Sequence, residues 1–178
     1  MATKTPSLND LKQYLKKCSP EELVLEIAEL YKRFDGVKDY YQVKLSPDSG
    51  SDVIAKYKKI IGDQFFPTRG LGKAKLSIAK KAITDYKKIA ENARDVVDIM
   101  LFYVEQGVLF TNEYGDISES FYSSMESVYE DAVELMVKNR LHDIFQKRCL
   151  KIVKDTSHIG WGFHDTLDDI YSDAFGEK

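Results

Sequence analysis

Hydrophobic residues recur along almost the whole chain at the three- and four-residue spacing of a helix, and almost nowhere at the two-residue spacing of a strand. Leu23, Ile27, Leu30 and Phe34 illustrate the pattern, because this spacing places all four on one stripe of a helix. The spacing of the apolar residues therefore predicts an all-α protein.

One segment, residues 96–110, is apolar nearly all round, and Asp98 and Glu105 are its only charged residues. A helix without a polar face has to be buried among other helices. We therefore predict an irregular array of about eight or nine helices, packed as helical hairpins around a central apolar helix at about residues 92–111.

Capping signals indicate where several helices begin. Ser19 is followed three residues later by Glu22, the pattern of a capping box, and the helix after it carries the stripe described above. Asp116 and Glu119 repeat that pattern directly after the central helix. This spacing predicts that Asp116 caps the next helix and that the two helices form a hairpin.

The length of 178 residues fits one helical domain spanning residues 1–178. Within it, Pro67 ends a helical pattern and a glycine-rich stretch follows. Glycine relaxes the restrictions on the backbone, so we predict a hinge at residues 67–72.

The composition bounds the compartment and the partners. A formal net charge of −3 gives no general attraction to nucleic acid or to an anionic membrane. Cys18 and Cys149 form no metal-ligand pair, and the first ten residues lack the apolar stretch of a signal peptide. We expect a cytoplasmic protein with reduced thiols that requires no cofactor and does not bind a membrane.

Charge is nevertheless segregated along the chain. Residues 51–90 hold ten basic and three acidic side chains, whereas residues 91–135 hold one basic and eleven acidic ones. Either these segments are neighbours that compensate each other, or the lysines present a basic stripe to phosphates, with Tyr57 and Tyr86 as stacking groups. The lysines of that alternative nucleic-acid patch are Lys73, Lys75, Lys80, Lys81, Lys87 and Lys88.

Two loops carry the most distinctive residues, the one at 112–116 and the one around Trp161, where a glycine stands on either side of the indole. The last helix adds His164 and Asp168, four residues apart on one face, which is a spacing that two metal ligands can use. A solvated acidic face with a hydrogen-bonded histidine explains the same spacing. If the loops share one end of the bundle, the candidate binding residues are Glu113, Tyr114, Asp116, His158, Trp161, His164, Asp165 and Asp168.

The stretches SPEELVLEIAELYKRF, LFYVEQGVLFTNEYGDI and GWGFHDTLDDIY resemble those of an uncharacterised bacterial family of small all-helical proteins of unknown function. The resemblance covers about residues 8–171. It implies a bacterial cytoplasmic protein with an all-α fold, and it brings no activity, substrate or catalytic residue with it.

Three functions follow as hypotheses. The first is a non-enzymatic helical module that binds a partner protein or associates with itself. The second is a nucleic-acid-associated protein that uses the basic helices at residues 52–90. The third is a metal-dependent hydrolase built on His158, His164, Asp165 and Asp168 with Glu113 or Asp116, although no recognised metal motif supports it.

Overall fold

A computed structural model describes residues 5–46 and 50–176. These residues form nine α-helices and no β-strand, so the predicted all-α fold is confirmed. The helices are α1 (Leu8–Leu15), α2 (Pro20–Arg33), α3 (Asp35–Leu45), α4 (Gly50–Phe65), α5 (Leu76–Lys87), α6 (Ala93–Tyr114), α7 (Glu119–Lys138), α8 (His142–Asp155) and α9 (Phe163–Phe175). None of these helices combines the length and apolar composition needed to span a bilayer.

The chain divides into two compact units, Met1–Tyr41 and Gln42–Lys178. Helices α1 and α2 belong to the first unit and α4 to α9 to the second, while α3 runs across the boundary. The segment predicted as a hinge, residues 67–72, lies inside the second unit and not at its edge.

That segment folds back onto the end of α4. The backbone amides of Lys73 and Ala74 donate hydrogen bonds to the carbonyl oxygen of Gln64, at 3.2 and 2.8 Å. Gly72 lies so close to α4 that a Cβ atom added to it would be 1.6 Å from the carbonyl oxygen of Phe65. Glycine at position 72 thus permits a close backbone approach that fastens the loop to α4.

Helix α6 is the centre of the second unit, as its sequence predicts. Eleven of its residues are buried, and it packs against α4, α5, α7 and α8. The helix begins after its cap Asn92 and continues to Tyr114, three residues beyond the predicted end. The remaining helix of the unit, α9, packs against α7 and α8.

Helices α6 and α7 approach each other closely at Gly107. A Cβ atom added there would lie 2.2 Å from the sulfur of Met125, a fully buried side chain on α7. The absent side chain at position 107 therefore makes room for Met125.

The cap of α7 differs from the prediction. Ser118, and not Asp116, precedes the helix, and its hydroxyl oxygen accepts a hydrogen bond from the amide of Phe121 at 3.3 Å. Asp116 instead accepts a hydrogen bond from the hydroxyl of Tyr122 at 3.1 Å. This side-chain bond holds the carboxylate away from the start of the helix, so the serine two residues later takes the capping position.

The caps in the first unit follow the sequence. The predicted capping box at Ser19 is present, with Glu22 accepting from the Ser19 amide at 2.7 Å and the Ser19 hydroxyl accepting from the Glu22 amide at 3.2 Å. Helices α1 and α2 nevertheless contain no buried residue. The first unit therefore has well-defined helix ends without a buried core of its own in these two helices.

Candidate interaction surfaces

The loop between α6 and α7 and the segment between α8 and α9 lie at the same end of the second unit. The side-chain amide of Asn112 donates to the carbonyl oxygen of Asp155 at 3.2 Å, and this bond joins the ends of α6 and α8. The rings of Tyr122 and Phe163, near the starts of α7 and α9, are 4.9 Å apart between centroids. The two predicted loops are thus neighbours, which was the condition for a shared site.

The aromatic residues of this end have different surroundings. Tyr114 is half-exposed and packs on Phe110 and Phe66, at centroid distances of 4.7 and 6.3 Å. Trp161 has a left-handed backbone with φ of 64°, and its side chain is 64 % exposed. Trp161 is therefore largely exposed to solvent.

Among the polar candidates, His164 is held by a hydrogen bond to a neighbouring side chain. The buried hydroxyl of Thr156 donates to the carbonyl of Val153 at 2.7 Å, so at its 3.0 Å contact with His164 it accepts a hydrogen bond from the Nδ1 N–H. His164 is therefore a hydrogen-bonded histidine, as one of the two interpretations predicts. The other five polar candidates lie exposed on the surface: Glu113, Asp116, His158, Asp165 and Asp168.

The described part of the chain holds no cluster of metal-ligand side chains. Among residues 5–46 and 50–176, no three histidine, cysteine, aspartate or glutamate side chains are close enough to share an ion. The hydrolase hypothesis therefore has no ligand cluster to rest on in this part of the chain.

The proposed nucleic-acid patch is partly neutralised by acidic neighbours. Lys81 and Lys88 both form ion pairs with Asp85, the second at 2.8 Å. For the other four lysines, no ion-pair partner is present in the described ranges: Lys73, Lys75, Lys80 and Lys87.

The two tyrosines expected to stack on bases are not accessible. Tyr57 and Tyr86 are buried, and their rings pack against each other at a centroid distance of 5.4 Å. The stacking prediction is wrong. The spacing of these tyrosines places both rings on the core faces of α4 and α5, where burying the ring contributes more free energy than exposing the hydroxyl to water.

A partly buried ion network joins three helices of the second unit, and the sequence analysis did not predict it. Arg148 of α8 donates two hydrogen bonds to the carboxylate of Glu105, at 2.6 and 2.8 Å, and a third to Asp98. Lys58 of α4 binds the other oxygen of Asp98 at 2.7 Å. Each of these four side chains is about one quarter exposed.

The network stabilises the charged forms of Asp98 and Arg148. Burial acts to raise the pKa of the Asp98 carboxyl, but hydrogen bonds from Lys58 and Arg148 outweigh burial and hold that pKa below its ordinary value. Asp98 and Glu105 stand seven residues apart in α6, which places both on one face. Two carboxylates on one face of an otherwise apolar segment were the sequence signal that cations on other helices pair with them.

A second unpredicted feature is an exposed apolar face in the first unit, which we call the α2 stripe. It consists of the residues of α2 and its C-cap that lie on one side of the helix, and five of them are between 43 and 66 % exposed. These five are Val24, Ile27, Leu30, Tyr31 and Phe34, with Leu23 less exposed beside them. The sequence shows the stripe but not that it lies outside the core.

Charged side chains lie on the other faces of α2. Its first turns carry Glu21, Glu22 and Glu26, and its last turn carries Lys32 and Arg33. Such an arrangement, an apolar centre with a polar rim, is typical of a protein interface.

Comparison with known proteins identifies a family without assigning an activity. No curated protein and no solved structure matches the chain significantly. A family model does match residues 6–175, almost the full length, and its description is "Family of unknown function (DUF6155)". The all-helical chain therefore belongs to the DUF6155 family.

Proposed function

We propose that this protein is a helical interaction module that binds a protein partner through the α2 stripe. The observation that carries the proposal is the exposure of five large apolar side chains on one face of a helix that contains no buried residue. Scattered apolar side chains are normal on a surface, whereas a contiguous set rimmed by charge marks an interaction site.

The energetics favour covering this face. A helix of 14 residues is marginal in water unless its apolar side packs on something. Burying one large apolar side chain contributes about 1.5–3 kcal/mol, so an occupant of the stripe gains a substantial free energy and stabilises α2 at once.

A cytoplasmic location is part of this proposal. Two free cysteines, one of them buried, support it, because unpaired thiols persist most readily in a reducing compartment.

The test is recovery of partners from an extract of the cells that make the protein. Tagged wild-type chain is compared with Ile27→Lys, which places a charge in the middle of the stripe, and with Leu25→Lys, a matched change on the opposite side of α2. We expect wild type and Leu25→Lys to recover the same protein, including untagged copies of the chain itself, and Ile27→Lys to lose it.

Circular dichroism of both variants establishes that the helices are retained. A partner that Ile27→Lys still binds would contradict the proposal. Salt-sensitive recovery of nucleic acid that is lost when Lys80 and Lys87 are changed to glutamate would favour the nucleic-acid hypothesis instead.

A further inference from the structure

We infer that the occupant of the α2 stripe is a second copy of the same chain, with the two α2 helices side by side in antiparallel orientation. This inference rests on the proposed function and names its partner. Two properties of α2 carry it: the spacing of the apolar residues, and the unequal distribution of charge along the helix.

The apolar spacing is self-complementary. Leu23, Ile27, Leu30 and Phe34 follow the alternating four- and three-residue steps of a two-helix seam. A two-fold axis between residues 28 and 29 pairs Ile27 with Leu30 of the second copy, and the same operation pairs Leu23 with Phe34. Each contact occurs twice, as a two-fold interface requires.

The flanking charges select the antiparallel orientation. Glu26 and Arg33 lie two turns apart on the same flank of the α2 stripe, at the edge of the seam. In the antiparallel pair, Glu26 of each copy lies beside Arg33 of the other, whose guanidinium also pairs with Glu29 of its own helix at 2.7 Å. A parallel pair would instead bring the two glutamate-rich first halves together, where like charges repel.

The opposite flank adds apolar contact. Val24 and Tyr31 lie there, both about half or more exposed, and the same two-fold operation brings them near each other across the seam. One flank is thus charged and complementary, and the other is apolar. Such asymmetry fixes which way the second helix lies.

The first experiment measures the mass of the full-length chain by sedimentation equilibrium from low micromolar to several hundred micromolar concentration. Wild type is expected to form dimers whose fraction rises with concentration. Ile27→Lys should weaken dimerisation at least ~100-fold, since two charges enter one seam, and Leu25→Lys should leave it unchanged.

The second experiment tests the orientation with Glu26→Arg and Arg33→Glu. Each variant alone creates two like-charge contacts and should dimerise roughly tenfold more weakly than wild type. An equimolar mixture should recover wild-type affinity as a heterodimer, because each contact across the seam then joins an arginine to a glutamate. The double variant with both changes in one chain should recover it as well.

Every result is decisive. A monomer at all concentrations overturns the inference, and so does a dimer that Ile27→Lys does not weaken. Failure of the mixture to recover affinity overturns the antiparallel pairing. If the chain is monomeric while partner recovery from extract still depends on Ile27, the proposed function stands and only the second copy is excluded.

Discussion

Gly107 is the residue that leaves least room for change in the packing of α6 against α7. A methyl group at this position would meet the sulfur of Met125 at 2.2 Å and its Cγ atom at 3.1 Å. Met125 is fully buried, so it cannot turn outward to avoid the contact. We expect Gly107→Ala to lower the free energy of unfolding by roughly 1–3 kcal/mol, despite the better helix propensity of alanine.

Gly62 provides the matched control, because it also lies in a helix. A methyl group there would contact the ring of Phe102 at 3.8 Å, an ordinary van der Waals distance. Gly62→Ala should therefore raise stability by about 0.5–1 kcal/mol. Urea unfolding measures the free energy of unfolding of both variants. Equal changes would show that helix propensity, and not the contact with Met125, determines the effect of an added methyl group.

Asp98 is the second residue with an expected large effect. Asp98→Asn removes the carboxylate that pairs with both Lys58 and Arg148, leaving two partly buried cations short of a partner. We expect a loss of about 1.5–3 kcal/mol in the free energy of unfolding. Asp63→Asn breaks only an ion pair one turn away with Lys59 and should cost less than about 0.5 kcal/mol.

The same carboxylate predicts a dependence on pH. The pKa of Asp98 is lowered in the folded protein, since bonds from Lys58 and Arg148 outweigh burial. Its stabilising contribution is therefore complete above its unfolded pKa of about 3.9 and is lost as the pH falls through the lower folded value. Thermal unfolding below about pH 4 should show a steeper loss of stability for wild type than for Asp98→Asn.

The sequence analysis identified some of these individual side chains and missed others. It identified Asp98 and Glu105 as the only charges of the apolar segment at residues 96–110, but their partners, Lys58 and Arg148, are 40 and 50 residues from Asp98. Pattern within one helix cannot show which distant side chain faces it. The misplacement of Tyr57 and Tyr86 has a similar origin, since a tyrosine suits a core and a binding surface equally well.

At the scale of the helices, Ser118 tests the corrected start of α7. Ser118→Ala removes the oxygen that accepts from the amide of Phe121, and we expect a loss of about 1 kcal/mol. Ser123→Ala, an exposed change inside the same helix, should be neutral or slightly stabilising. Chemical denaturation measures the free energy of unfolding of both variants. If Ser118→Ala does not lower it, Ser118 is not the residue that caps α7 and Asp116 is again the candidate.

Helices were the most predictable part of the molecule, because their periodicity and caps depend on residues near in sequence. The central helix α6 and the box at Ser19 were found this way. The role of α2 was not, because a stripe of Leu23, Ile27 and Leu30 reveals which face is apolar and not what covers it. What covers a helix face is a property of the tertiary or quaternary structure, and the sequence of that one helix does not contain it.

At the scale of the whole molecule, the two thiols should differ sharply in reactivity. Cys149 is fully buried, and burial raises the pKa of its thiol to about 12, whereas Cys18 is partly exposed. A thiol reagent at neutral pH should therefore modify Cys18 rapidly and Cys149 only as the second unit opens. Cys18→Ser should abolish the rapid phase, and a rapid phase that persists would contradict the burial of Cys149.

Arg148 also has a consequence for the order in which the protein is made. It follows Glu105 by 43 residues and Asp98 by 50, so α6 leaves the ribosome well before α8. Until then, Glu105 lacks the guanidinium that neutralises it, and burying its face costs free energy. We therefore expect the nascent second unit to complete its folding only after α8 has emerged, because a chain that ends before Arg148 lacks the cation that pairs with Asp98 and Glu105.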